Sequence, residues 1–107
     1  MMRITEVAIQ RLKTIMQQQN ITDYGLRIGV RQTNQCYSDF FMGFQKNPSH
    51  NDIVFQKSGI KIYIDKNNKT RLFSIEVDYI EELGGSGFVF RDYGWNMQNK
   101  CLDCSSS

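Results

Sequence analysis

Three stretches of the chain alternate between apolar and polar residues, and this two-residue period limits the fold more than any other feature. Leu26, Ile28 and Val30 are interleaved with Arg27, Gly29 and Arg31; Ile60, Ile62 and Ile64 with Lys61, Tyr63 and Asp65; Ile75, Val77 and Tyr79 with Glu76, Asp78 and Ile80. A strand points successive side chains to opposite faces, so each stretch reads as a strand with one buried and one wet face. Between them lie turn residues and further short apolar runs, without the long helical crossovers that a parallel sheet requires. The sheets are therefore expected to be mostly antiparallel or mixed.

One helix precedes the strands. Thr5 can cap it, and Val7, Ala8, Ile9, Leu12, Ile15 and Met16 are placed by their spacing on one broad apolar face over residues 6–19. Arg11, Lys13 and Gln17 to Gln19 make a solvated face, and Asn20, Asp23 and Gly25 break the helix into the first strand. Further along, Phe40, Phe41, Met42 and Phe44 suit a buried strand, residues 47–52 a turn, and Ile53 to Phe55 a short strand. Ser58 and Gly59 turn the chain into the second alternating stretch. Lys69 to Phe73 allow one or two helical turns, and a glycine loop leads into a last strand at Phe88 to Phe90. The expected fold is α+β and strand-dominated, its sheets packed on the amphipathic helix. With 107 residues it is a single domain, 1–107, in which residues 93–107 lack any period and read as a mobile tail.

Composition narrows the function by exclusion. Thirteen basic residues against eleven acidic ones leave a net charge of +2, with no run of Lys or Arg to follow a phosphate backbone, so nucleic acid is not an expected partner. No signal or transmembrane segment is apparent, which predicts a soluble protein of the cytoplasm or a plastid stroma without membrane attachment. Three cysteines, two of them crowded at the tail, do not make a secreted disulfide framework and fit reduced thiols better.

Catalytic motifs are lacking in the same way. Gly84, Gly85 and Gly87 are followed by neither Lys-Ser nor Lys-Thr and lead into a strand, so they serve a turn rather than a phosphate. His50 falls in a polar turn, and Glu76, Asp78, Glu81 and Glu82 read as the wet side and end of a strand. The remaining chemistry is thiol chemistry. Cys36 stands just beyond the strand Gly25 to Arg31, and the two-residue gap between Cys101 and Cys104 lets both thiolates reach one metal or one iron of a cluster. Read alone, these residues fit incidental cysteines as well as ligands; a zinc ribbon would need a second such pair.

The order of pieces resembles the A-type iron-sulfur cluster carriers, the HesB-like family, over nearly the whole chain. The pieces are an initial Ile-Thr and helix, GLRIGVR, DIVFQKSGIKIYID, IEVDYI, a glycine loop ending GFVF, and a cysteine-bearing tail. The family places a cysteine in a Gly-Cys-Ser-Gly turn after the GVR strand and a Cys-Gly-Cys pair near the C-terminus. Here the first cysteine stands in Asn34-Gln35-Cys36-Tyr37-Ser38. Counted without gaps between Arg31 and Phe44, Gln35 takes the family cysteine's place and Cys36 comes one residue late. At the tail, Cys101-Leu-Asp-Cys104 replaces the narrower pair.

The resemblance implies a HesB-like fold and a carrier, not an enzyme, that binds a labile cluster, [2Fe-2S] or else iron, through Cys36, Cys101 and Cys104. Apo iron-sulfur proteins, assembly factors and a second copy in a homodimer or higher oligomer are the implied partners. Three thiolates fall short of the four ligands of a common [2Fe-2S] cluster, so the fourth would come from a second chain, from Asp103 or from a small thiol. Two alternatives stay open. One is a domain without a cluster that acts as an interaction module through Tyr37, Phe40, Tyr93 and Trp95; the other is a mononuclear iron or zinc site on the same cysteines.

Overall fold

The computed structural model describes residues 2–32, 38–82 and 84–93. Its elements are β1 (Arg3–Ile4), α1 (Glu6–Gln18), β2 (Gly25–Gln32), β3 (Ser38–Gln45), β4 (Asp52–Lys57), β5 (Ile60–Asp65), α2 (Lys69–Leu72), β6 (Ile75–Glu82) and β7 (Gly85–Asp92). The strands form a three-stranded sheet in the order β1-β6-β7 and a four-stranded sheet in the order β3-β2-β5-β4. Sequential neighbours β2–β3, β4–β5 and β6–β7 pair antiparallel, whereas β1–β6 and β2–β5 pair parallel, giving the expected mixed α+β architecture. Among the described residues no helix is long and apolar enough to cross a membrane.

α1 begins where Thr5, extended at φ −68° and ψ 158°, accepts a hydrogen bond from the Ala8 N–H at 3.2 Å. It ends at Asn20, whose φ of 58° lets its N–H reach Gln17 O at 3.2 Å and the Ile21 N–H reach Met16 O at 2.9 Å. This left-handed closure is the kind asparagine tolerates better than most residues. Ala8, Ile9, Leu12 and Met16 are buried, whereas Val7 is 57% exposed, contrary to its expected place on the apolar face. At about 100° per residue Val7 lies about 150° from the centre of that stripe. Arg11, expected in solvent, is half-buried, its guanidinium 5.4 Å from the centroid of the Tyr79 ring.

Ile4, Ile9 and Leu12 join Leu26, Ile28, Ile62, Ile64, Leu72, Ile75 and Val77 in one core shared by the helix and both sheets. Burying each such side chain contributes about 1.5–3 kcal/mol. Tyr63 departs from the expected alternation: it stands at a wet-face position of β5 yet is 0% exposed. Its ring covers the backbone of Gly25, where a Cβ would lie 2.4 Å from the ring, and its hydroxyl donates to Lys46 O at 3.2 Å.

β3 is an edge strand rather than a fully buried one. Phe40, Met42 and Phe44 pack against the core, while Phe41 faces outward over Gly29, its partner on β2. At the opposite edge Val54 of β4 is likewise exposed. The β4–β5 hairpin turns through Ser58 and Gly59 at φ 52° and 87°, the handedness that matches strand twist.

Candidate functional site

Cys36, Cys101, Cys104 and Asp103 lie outside the described residues, as do Tyr37 and Trp95. What the fold defines is where the segments that carry them leave the sheets. Backbone pairing of β2 with β3 runs to Gln32 opposite Ser38, so the Cys36 segment leaves from that end of the four-stranded sheet. The tail leaves the three-stranded sheet after Asp92 of β7, opposite Ile75.

These two points of departure are joined. The rings of Phe40, near the start of β3, and Phe90, near the end of β7, stack with centroids 5.6 Å apart. The Arg71 guanidinium lies 5.0 Å from the Phe40 centroid and donates to Asp92 Oδ2 at 2.6 Å. Ser74 Oγ donates to Asp92 Oδ1 at 3.2 Å, and the Tyr93 N–H donates to Ser74 O at 3.1 Å. The two sheets thus meet at one rim, from which both cysteine-bearing segments depart. Phe40, expected as part of an aromatic surface, is half-buried in this stack, whereas Tyr93 is exposed.

A polar chain continues from Tyr93 to the helix. Its ring carries the Arg3 guanidinium at 5.1 Å and its hydroxyl donates to Glu76 at 3.4 Å. Arg91 donates to Glu76 at 3.4 Å and to Asp78 Oδ2 at 2.6 Å, while Asp78 Oδ1 accepts from the Thr5 hydroxyl at 2.6 Å and the Tyr79 N–H at 2.8 Å. The Thr5 and Arg91 hydrogen bonds hold the Asp78 carboxyl down at about 2, and the same pairing raises Arg91. Asp78 and Glu76 are therefore not a plain wet face, because Arg91 on the neighbouring strand and the helix cap engage them. Glu81 and Glu82 are exposed, as is His50 in its turn.

Arg27 and Asp52 form a further pair that the spacing of residues does not reveal. The Asp52 side chain is 1% exposed; it accepts from Arg27 Nη2 and from the Ser49 N–H at 2.6 Å, and so pins the β3–β4 turn to β2. Burial pushes its carboxyl up, but the Arg27 and Ser49 hydrogen bonds outweigh this and leave it below its ordinary value. Elsewhere, an apolar cleft of about 390 Å³ is lined by Met2, Ile53, Phe55, Ile64, Leu72 and Phe73, with Lys69 at its side. Among the described residues no three His, Cys, Asp or Glu side chains converge to hold a metal.

The fold and rim define a small two-sheet scaffold that releases a hairpin segment and a terminal segment, each bearing cysteine, from the same end. The profile of the iron-sulphur cluster biosynthesis family matches residues 1–103, and the chain belongs to that family. The iron-sulfur cluster insertion protein ErpA of Stenotrophomonas maltophilia is 29% identical over 106 residues, covering 99% of this chain and 79% of the relative. Among solved structures, IscA with the [2Fe-2S] cluster is 28% identical at a TM-score of 0.68, over 87% of this chain and 83% of that one. SufA of Escherichia coli, at 20% identity and a TM-score of 0.76 over 95% of this chain and 89% of its own, shares the fold.

Proposed function

We propose that this chain carries a labile iron-sulfur cluster, [2Fe-2S], as cargo on Cys36, Cys101 and Cys104 and passes it to apo-proteins by ligand exchange rather than by catalysis. The observation that supports this reading most is the shared rim, where the segment before β3 and the segment after β7 depart from stacked Phe40 and Phe90. Cys36 stands two residues before Ser38, where β3 begins, and Cys101 nine after Asp92, where β7 ends. At about 3.3–3.6 Å per extended residue these lengths reach about 7 Å and 31 Å, so the longer tail can bring its thiols toward Cys36 while both sheets stay in place. The one-residue displacement of Cys36 is compatible with ligation because a connection between strands can absorb a register change.

The donor set suits a carrier. Thiolates match the cluster's irons, and a shortfall from four protein ligands leaves a position that a second chain, Asp103 or a small thiol fills and a recipient's thiolate can take over. The reading treats residues 1–107 as one domain that works in the cytoplasm or a plastid stroma as a homodimer or higher oligomer, handing clusters from assembly factors to recipients.

Anaerobic reconstitution with ferrous iron and sulfide tests it. Thiolate-to-iron absorption bands with both elements bound are expected, and their loss when all three cysteines become serine. Iron without acid-labile sulfide would establish the mononuclear reading instead. A colourless, well-folded protein would leave an interaction domain, for which the exposed Tyr93 at the rim is the observation in favour.

A further inference from the structure

We infer that Arg71 is a positioning residue that holds the two cysteine-bearing segments within reach of each other. The inference rests on the carrier reading for its purpose but on the described residues for its geometry. Arg71 occupies α2, which follows β5 and belongs to neither cysteine segment, and it addresses both. Its guanidinium carbon lies over the Phe40 ring, 5.0 Å from the centroid, and its Nη1 donates to Asp92 Oδ2 at 2.6 Å. Phe40 is four residues after Cys36, and Asp92 is next to the last described residue before the tail.

One planar cation therefore serves as a bracket between the start of β3 and the end of β7. Arginine suits this task as lysine does not: its flat guanidinium stacks on an aromatic face while its edge donates to a carboxylate. Ser74 holds Asp92 and the Tyr93 N–H on the β7 side alone, and the Phe40–Phe90 stack joins the two sides but is apolar and non-directional. Arg71 combines the ring at the start of β3 with the carboxylate at the end of β7.

Its consequence is on how often the thiols meet. Holding two tethered groups near one another raises their effective concentration, and releasing one tether lowers it. Removing a partly exposed ion pair alters stability little, so the meeting of thiols and the melting of the fold respond differently to the same substitution.

The test is intrachain crosslinking of the metal-free protein in a Cys104→Ser background, which leaves Cys36 and Cys101 as the thiols. A short bismaleimide is added at low protein concentration, and crosslinked monomer is separated from crosslinked dimer by mass. Arg71→Ala is expected to lower the initial rate of intrachain crosslinking by about threefold or more while the melting curve stays close to the parent's. Arg71→Lys recovers part of the rate, because it restores the charge facing Asp92 without the plane over Phe40. Asp92→Asn gives a second route to the same loss should Arg71→Ala fold poorly.

An unchanged rate in both Arg71→Ala and Asp92→Asn overturns the inference, as does a parent protein that forms no intrachain crosslink. Reconstitution of the same variants with all three cysteines present separates the two readings. A protein that retains no iron and sulfide but shows the fall in crosslinking loses the carrier reading and keeps Arg71 as the bracket. One that binds the cluster with crosslinking indifferent to Arg71 and Asp92 keeps the carrier reading and loses the bracket.

Discussion

At the scale of single residues, two glycines and one carboxylate show how position decides consequence. A methyl group on Gly25 or on Gly29 would come within 2.4 Å of an aromatic ring, yet the two rings differ in freedom. Tyr63 is fully buried and tied to Lys46 O, whereas Phe41 is 40% exposed and can swing into solvent. Gly25→Ala is expected to cost about 2–3 kcal/mol, near the upper end for overpacking, and Gly29→Ala about 1 kcal/mol or less, as measured by urea denaturation. Asp78 gives a pH signature. Its folded carboxyl is depressed from 3.8 to about 2, so its contribution to stability is fully present above about pH 4 and is lost as pH falls toward 2. The stability gap between wild type and Asp78→Asn is expected to be constant from pH 7 to about 4 and to close by about pH 2, a pattern that denaturation at pH 6, 4, 3 and 2 would reveal. A gap that persists unchanged at pH 2 would show that the carboxylate's charge is not what Thr5 and Arg91 respond to.

At the scale of elements, ends and turns matter more than interiors. Thr5 caps α1 and also donates to Asp78, so Thr5→Ala removes a helix cap and a link to β6 together. It is expected to cost about 1–2 kcal/mol, while Thr5→Ser retains most of the stability. The β4–β5 turn offers the opposite sign. Ser58 holds a φ of 52° that serine adopts reluctantly, whereas asparagine before glycine favours this turn. Ser58→Asn is expected to stabilise by about 0.5 kcal/mol, raising the melting temperature by about 2–4 °C.

At the scale of the whole molecule, the core determines how the protein behaves without cargo. The buried cluster runs unbroken from Ile4 and Ile9 through Leu26, Ile62 and Leu72 to Val77, and draws on the helix and both sheets without any metal ligand. Zinc fingers, by contrast, depend on their metal for a core. Removing cluster or iron with a chelator is therefore expected to leave the circular dichroism spectrum intact and to shift the melting temperature by no more than a few degrees, a loss of bound-state stabilisation rather than of the fold. A chelated protein that unfolds at room temperature would contradict this independence of core and cargo.

The elements were legible in the sequence because their causes are local. The alternation at Leu26, Ile28 and Val30, the cap at Thr5, the break at Asn20 and the Ser58-Gly59 turn each act within a few residues, and each stands in the structure where the chain places it. Cys36, Cys101 and Cys104 were legible as candidates through their type and the family's order of pieces. Tertiary structure alone decided the rest. It set β5 parallel to β2 and hid Tyr63 over Gly25, and it drew Arg11 onto Tyr79. It also brought Phe40 to Phe90 and Arg71 to Asp92. The physical reason is the same in each case. A local preference is written in neighbouring residues, but a contact between distant residues exists only once packing has chosen which strand lies beside which, and no spacing along the chain records that choice.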